Sequence, residues 1–580
     1  MSTSAKTLEI LREKAERWAA DDPDPETAAA TRGLLEASAS GDAAALADHF
    51  GTRLEFGTAG LRGALGPGPN RMNRALVQRV TLGLGRYLLA HVPDVKTTGV
   101  VIGYDGRIGS DIFSADAACV LAALGIPAFL HDILCPTPQL AHAVTHLHAA
   151  AGIMVTASHN PPQDNGYKVY WGNGAQIVPP HDGGISAAVD AVLGLIALPS
   201  LEDARKSGLV RSVPEAVCEA YLGEVAALRV HTGTELRIVY TAMHGVGRRL
   251  IELVLGRAGY TDVHLVAEQV DPDGRFPTVK FPNPEEPGAL DLSLALARKV
   301  GADVVIANDP DADRLAVAVP RPDGTWRPLS GNEVGCLLAE YLLTYGAKGP
   351  NPGSRLVATT IVSSSLLSRI AREHGVAYAE TLTGFKWIAN AAIRHEAGGG
   401  SFVMGYEEAL GYSVGPVVRD KDGVSAALIL CDLAAFEKAR GRTLLDALES
   451  IARRYGLYVS GQKSITLPGA DGARQILEMM VDLRAKPLTE LAGTAIVRTR
   501  DLAVRTPETP ADLPTADVLA WDLEGGGRVL ARPSGTEPKI KFYFEACEPV
   551  AADEALPAAD ARARARLTAW TQALMARLDR

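Results

Sequence analysis

The chain has 580 residues, past the size at which a single hydrophobic core keeps growing, so roughly three to five domains are expected. Apolar content of 47% and charged content of 22% are ordinary for a globular protein, and a net charge of −10 argues against nucleic acid or an anionic membrane as main partner. The six cysteines (Cys119, Cys135, Cys218, Cys336, Cys431, Cys547) form no CxxC and no paired framework, so they read as reduced thiols and imply a cytoplasmic protein.

The opening segment, "MSTSAKTLEILREKAERWAADD", is charged throughout and lacks the apolar core of a signal peptide. It reads as an amphipathic helix whose apolar residues are Leu8, Ile10, Leu11 and Trp18. No stretch approaches the ~20 apolar residues of a membrane span. Three times the chain then starts an apolar strand, a turn and a helical pattern, near residues 98, 236 and 354. Apolar runs of this kind suggest strands buried on both faces, and the helices after them make βα units, the cores of three α/β domains.

"AAGIMVTA" reads as one such strand, and Ser158 follows it at the start of the loop "HNPPQDNG". Ligand sites of α/β sheets lie at the carboxyl ends of strands, so the position suits chemistry. A serine is a poor nucleophile without a base. Neighbours in an extended chain point to opposite faces, so His159 is not expected to act as a triad base, and the context is not a GxSxG elbow. A phosphoryl group carried on Ser158 removes the activation problem, because the nucleophile is then a substrate hydroxyl. An ordinary loop serine is the alternative.

"ADVVIANDPDADRLAVAVP" holds a predicted buried strand at 303–307, followed by Asp309, Asp311 and Asp313. Spacing of two in extended backbone puts three carboxylates on one face. They repel unless a cation neutralises them, and oxygen-only ligands suit Mg²⁺ or Ca²⁺. An EF-hand fails: its glycine position is Arg314 and its glutamate position is Pro320. A solvated turn at a strand end is the other reading. Towards the C-terminus, "GRVLARPSGTEPKIKFYFEA" reads as two strands joined by a short loop. Ile540, Phe542, Phe544 and Ala546 alternate with Lys539, Lys541, Tyr543 and Glu545, the period of a half-buried antiparallel strand. A helix from about 553 to 578 closes a smaller α+β domain.

Taken together, four motifs closely resemble the α-D-phosphohexomutase superfamily, enzymes of the phosphoglucomutase and phosphomannomutase type. "TASHNPPQDNGYKVY" is similar to its phosphoserine loop, "NDPDADR" to its metal loop, "GYEEALGY" to its sugar-specificity loop and "RPSGTEPKIKFY" to its phosphate-binding loop. They span residues from about 50 to 546 in the family's order and leave the first ~45 outside. The resemblance implies an α/β fold of four domains around a central active-site cleft: three similar α/β domains with mixed or parallel sheets and a smaller C-terminal α+β domain. The partition is 1–230 with the N-terminal helical extension and phosphoserine loop, 231–350 with the metal loop, 351–460 with the specificity loop and 461–580 with the phosphate loop.

By position, the resemblance makes Ser158 the phosphorylated residue, and Asp309, Asp311 and Asp313 the Mg²⁺ ligands, the serine's phosphate completing the site. Arg62 faces the reacting phosphate, His159 contacts phosphate, and Lys168 and Lys421 serve proton transfer or phosphate contact. Substrate binding falls to Arg314, to Thr383, Gly384 and Lys386 of "TGFKW", to Glu407, and to Arg532, Ser534, Gly535 and Thr536 for the distal phosphate. The implied activity is an Mg²⁺-dependent isomerase interconverting glucose 1-phosphate and glucose 6-phosphate through a bisphosphate, with glucose 1,6-bisphosphate as activator. Its partners would be a phosphosugar, with no nucleic acid and no membrane, the protein acting as a monomer or homodimer. The specificity loop reads Glu407-Glu408-Ala409 where many phosphoglucomutases have GEES. That departure resembles a longer branch that also holds phosphopentomutases and hexose-bisphosphate synthases, so a phosphopentomutase, a phosphomannomutase or a bisphosphate synthase stays open. A non-catalytic sugar-phosphate binder has no need of serine, acidic triplet and phosphate loop at once.

Overall fold

The computed structural model describes residues 5–56, 60–348, 351–467, 470–506, 514–534 and 538–578. The chain divides into two compact units, 1–330 with 409–436, and 331–408 with 437–580.

In the first unit, three helices (Ala5–Asp21, Pro25–Ala39, Ala44–Phe50) precede the first sheet. Pro25 stands at the first helical position and Asp24 caps it, its carboxylate accepting from the Glu26 amide. Leu11 and Trp18 of the opening helix are buried in the same core as Phe50, Leu61 and Leu76, so the extension is part of the domain. Ile10 departs from the expected apolar face: it is 52% exposed, because the buried stripe runs through Leu11, Ala15 and Trp18 at helical spacing.

The first sheet runs Leu61–Ala64, Asp164–Trp171, Ala151–Val155, Val100–Tyr104, Ala128–Leu130, Val210–Ser212. Its first two junctions are antiparallel and the other three parallel. The second sheet runs Trp326–Leu329, Ala316–Pro320, Val304–Ala307, Ile238–Thr241, Val263–Leu265, again parallel in its later half. The strands near 98 and 236 are therefore buried central strands, as their unbroken apolar runs require.

In the second unit, Arg355–Thr360 lies between Ala377–Thr381 and Ser401–Glu407, parallel to both. A further sheet, wholly antiparallel, runs Leu457–Thr466, Lys539–Glu548, Arg528–Pro533, Leu519–Leu523, Thr494–Asp501, Glu490–Leu491. Helices Ala470–Ala485 and Leu556–Leu578 pack on it through Met480, Leu483, Trp570 and Leu574, against Trp521, Phe542 and Phe544. The alternation at 540–546 holds on one face only. Tyr543 and Glu545 are buried too, because Glu545 accepts from Ser365 and pairs with Arg528. Three α/β domains and a C-terminal domain are thus present, and no helix among the described residues is long and apolar enough to cross a membrane.

Candidate active site

The serine loop leaves the strand Ala151–Val155 through Thr156, whose hydroxyl accepts from the Ser158 amide at 2.8 Å and donates to Asp105 at 2.6 Å. Ser158 is buried with φ 53°, a left-handed conformation that an L-residue keeps only when its surroundings enforce it. Arg107 supplies that enforcement. Its guanidinium donates to the carbonyls of Ser158 (2.5 Å), Asn160 (2.5 Å), Pro161 (2.9 Å) and Asp164 (3.0 Å), so one side chain gathers the whole loop. Asp105 lies 3.5 Å from Arg107 and accepts from the Ser110 hydroxyl.

The bend at Ser158 alters one expectation. The loop is not extended there, and His159 Nδ1 lies 3.2 Å from Ser158 Oγ instead of on the opposite face. Burial, then the Arg314 and Arg62 charges, push His159 well below the usual histidine range, so the ring is neutral at pH 7.

The acidic loop leaves Val304–Ala307 at Asn308, which accepts from Tyr240 and donates to the Arg314 carbonyl. Here too the extended reading gives way. Ala312 has φ 56° and its amide bonds back to the Asp309 carbonyl, so the three carboxylates converge through a tight turn. Thr137, at the start of helix Thr137–His146, donates to Asp311 from its hydroxyl (2.7 Å) and its amide (2.9 Å). A side chain at Gly245 would collide with Pro310, so only glycine lets that backbone approach the turn.

Asp309, Asp311 and Asp313 are buried, with one oxygen of each within 4.8 Å of the others. Ser158 Oγ donates to Asp309 Oδ2 at 2.7 Å. Lys168, fully buried on the strand Asp164–Trp171, places Nζ 2.7 Å from Asp311 and 3.0 Å from Asp313. Lys421 Nζ lies 3.1 Å from Asp313, and Asp420 beside it is held by Tyr170 (2.6 Å) and Gln176 (2.7 Å). Burial, then the two neighbouring carboxylates, push Asp309 well above its ordinary value. Burial acts on Asp311 in the same sense but is outweighed by Lys168, which holds it low; Lys168, Lys421 and Arg314 do the same for Asp313. Arg62 is pulled down by burial and held up by Asp311 and Asp313, and it donates to Asn160 at 3.4 Å.

Asp311 Oδ1 and Asp313 Oδ1 are buried without a hydrogen-bond partner. Such oxygens cost free energy unless something binds them. With Asp309 and Ser158 Oγ alongside, the donor set is all oxygen, the chemistry a hard divalent cation takes. The residues therefore fit a metal of the Mg²⁺ class.

In the second unit, Glu407 Oε1 accepts from the Gly384 amide at 2.8 Å, where Gly384 opens helix Phe385–Ala397 with φ 115°. Glu408 accepts from the Ser363 hydroxyl at 2.9 Å. Thr383 Oγ1 is buried without a partner, and Lys386 lies 5.5 Å over the Trp387 ring. Arg532, one residue before the end of the strand Arg528–Pro533, pairs in register with Lys541 and hydrogen-bonds Tyr543, whose hydroxyl burial and Glu408 push up to about 12 while Arg532 opposes them. The Ser534 amide donates to the Lys539 carbonyl at 2.7 Å. Gly535 and Thr536 lie outside the described residues. The structure thus brings together Ser158, His159, Lys168, Arg62, Lys421, Arg314 and the three aspartates in one unit, and Thr383, Gly384, Lys386, Glu407, Arg532 and Ser534 are in the other. Sequence reasoning missed Asp105, Arg107, Thr137 and Thr156. Arg107 carried a usable signal, since "GYDGR" also stands at the carboxyl end of a predicted strand.

A serine hydroxyl on a buried carboxylate cluster ringed by lysine and arginine is the equipment of cation-assisted phosphoryl transfer, which needs positioning and charge neutralisation more than covalent chemistry. Comparison with known proteins narrows the class. The three phosphoglucomutase/phosphomannomutase alpha/beta/alpha domains match residues 53–193, 219–324 and 330–455, and that family's C-terminal domain matches 502–562. The chain is 44% identical over 479 residues to a "Probable phosphomannomutase" of Haemophilus influenzae, covering 82% of this chain and 93% of that one. It is 39% identical over 566 residues to the human "Phosphopentomutase", covering 93% and 92%. It is 38% identical over 510 residues to a "Phosphoglucomutase" of Staphylococcus epidermidis, covering 86% and 91%. A solved Thermus thermophilus structure titled putative phosphomannomutase shares the fold, with TM-score 0.68, 24% identity, and coverage of 91% of this chain and 100% of that one. The chain belongs to the phosphoglucomutase/phosphomannomutase family, within the α-D-phosphohexomutase superfamily, and is a phosphotransferase isomerase.

Proposed function

We propose that this protein is an Mg²⁺-dependent phosphosugar mutase that interconverts glucose 1-phosphate and glucose 6-phosphate through phospho-Ser158 and glucose 1,6-bisphosphate. The observation that carries the reading is Ser158 Oγ, 2.7 Å from Asp309 inside the buried acidic cluster. The bond from Ser158 Oγ to phosphorus breaks as the substrate hydroxyl oxygen bonds that phosphorus, and the proton the hydroxyl gives up is balanced by the one the departing Ser158 Oγ takes up. The bisphosphate turns over, and its other phosphate returns to Ser158. Mg²⁺ held by Asp309, Asp311 and Asp313 would neutralise phosphoryl oxygens in flight. Neutral His159, 3.2 Å from Oγ, is placed to exchange the serine's proton. Lys168 and Lys421 hold the aspartates and face the same cluster, which suits charge compensation as well as contact with phosphate. Arg62 and Arg314 take the reacting phosphate. Thr383, Gly384, Lys386 and Glu407 take the sugar, and Arg532, Ser534, Gly535 and Thr536 the distal phosphate. We take the partition 1–230, 231–350, 351–460 and 461–580 with this reading, a phosphosugar as the ligand, the cytoplasm as the compartment, and a monomer or homodimer as the state.

A second reading, phosphopentomutase, is supported by the 39% identity over 566 residues to the human "Phosphopentomutase", and Glu407-Glu408-Ala409 in place of GEES leaves it open. Two measurements test the proposal. Intact mass and peptide mapping should find phosphate on Ser158, and Ser158→Ala should abolish turnover. A panel of hexose and pentose 1-phosphates with bisphosphate activator should give the highest kcat/KM for glucose 1-phosphate. A preference for ribose 1-phosphate would replace the substrate, and full activity of Ser158→Ala would remove the mechanism.

A further inference from the structure

Away from the acidic cluster, helix Thr137–His146 carries a second group of metal-ligating side chains. His142 and His146 are one turn apart on its surface, with ring centroids 5.4 Å apart and planes inclined by 28°. Glu224 faces them from helix Glu215–Ala226, and a ligand atom from each of the three lies within 4.8 Å of the others. His142 Nε2 and Glu224 Oε1 are 3.3 Å apart. Two ligands about 2.0–2.2 Å from one tetrahedral Zn²⁺ stand about 3.3–3.5 Å apart, so that edge of a coordination shell is already formed. We propose that His142, His146 and Glu224 bind a borderline transition-metal cation of the Zn²⁺ class, clasping the two helices.

The chemistry separates this site from the aspartate triplet. Two imidazoles select Zn²⁺, Ni²⁺, Co²⁺ or Cu²⁺ over Mg²⁺. His142 is buried, and its ring packs on that of Tyr221 with centroids 5.4 Å apart and planes inclined by 67°, so the ring is already oriented. Burial also lowers its proton affinity and leaves it neutral, the ligating form. His146 and Glu224 are exposed and can close on an ion by side-chain rotation. Three protein ligands leave a fourth position for water. Position 143 is alanine, so the HExxH pattern of zinc proteases is absent and the site is read as a clasp without hydrolytic chemistry. The clasp helices reach the proposed reaction site through Thr137, which opens the same helix and bonds Asp311, and through Tyr221, which donates to Asp422 beside Lys421.

The test uses the full-length protein with Mg²⁺ in large excess, so that the aspartate triplet is filled. Co²⁺ is titrated as a probe and its visible d–d absorption recorded. One nitrogen-ligated Co²⁺ per chain is expected, displaced by Zn²⁺. His146→Ala and Glu224→Gln change exposed residues and should fold as wild type. Each should weaken Co²⁺ and Zn²⁺ binding by at least about tenfold. Zn²⁺ should raise the melting temperature of the wild type and of Asp311→Asn, but not of His146→Ala. Absence of a nitrogen-ligated Co²⁺ spectrum in the wild type, or wild-type affinity in both exposed variants, would overturn the proposal. A Zn²⁺ effect abolished by Asp311→Asn and untouched by His146→Ala would place the ion in the aspartate triplet and overturn it equally.

Discussion

Arg107→Lys isolates what holds Ser158 in its bend. Arginine reaches four carbonyls, those of Ser158, Asn160, Pro161 and Asp164, from two nitrogens of one planar fork. A lysine keeps the charge near Asp105 but offers its donors from one point, so about half of these contacts are lost. Hydrogen bonds to a charged group are worth about 1.5–3 kcal/mol each, and two lost at the lower end cost about 3 kcal/mol. For a domain of 150–250 residues that lowers Tm by about 6–12 °C. If Arg107 only stabilised the fold, enzyme assayed well below Tm would accept phosphate on Ser158 at the normal rate. Because it sets the serine's left-handed φ, we expect phosphorylation of Ser158 by added sugar bisphosphate to slow at least tenfold at low temperature, with little change in KM. Mass spectrometry of a quenched time course reads the rate, and differential scanning calorimetry reads Tm. An unchanged phosphorylation rate would refute the clamp, whether or not Tm falls.

Asp311→Asn should raise the Mg²⁺ concentration for half-maximal activity at least tenfold, read by Mg²⁺ titration after chelator treatment. It should also destabilise the fold by roughly 1–3 kcal/mol, since buried Lys168 keeps only one of its two carboxylates. Repulsion among the three aspartates alone would suggest the opposite sign, so a more stable variant would show that Lys168 does not govern the cluster. Arg532→Ala should lower kcat/KM by roughly ten- to a few-hundredfold for both the 1-phosphate and the 6-phosphate, if one anchor serves both orientations; a loss in one direction only would mean two anchors. His131 is held by burial at a pKa of about 4, below the unfolded value of about 6.5. Its contribution is therefore complete above pH 6.5 and is lost as pH falls towards 4, amounting to about 3 kcal/mol, because the unfolded chain binds the proton first. His131→Gln should flatten stability across that window in denaturant melts, and an unaltered pH profile would dismiss the burial argument.

The buried strands at 100–104, 238–241 and 355–360 were legible in the sequence because a strand covered on both faces is apolar along most of its length, as in Val100-Val101-Ile102, Ile238-Val239-Tyr240 and Leu356-Val357-Ala358, although Arg355, Thr359 and Thr360 are polar and buried as well. Ser158 and the aspartates were legible because a polar run directly after such a strand marks a carboxyl-end loop. The alternation at 540–546 foretold a strand, but the partners that bury Tyr543 and Glu545 come from residues 363–408 and 528–532, beyond the reach of any local period. Backbone shape inside the two site loops was likewise tertiary. Ser158 and Ala312 both adopt positive φ, which no propensity of serine or alanine suggests, because Arg107, Thr156 and Asp309 hold them there. That bend moves His159 beside the serine and turns three spaced aspartates into a cluster. Which oxygens of that cluster are left for a cation is settled by Lys168, 143 residues from Asp311 in the chain. The chemical types at the site are local facts of sequence. Their geometry and charge balance belong to contacts between distant segments, which only folding brings together.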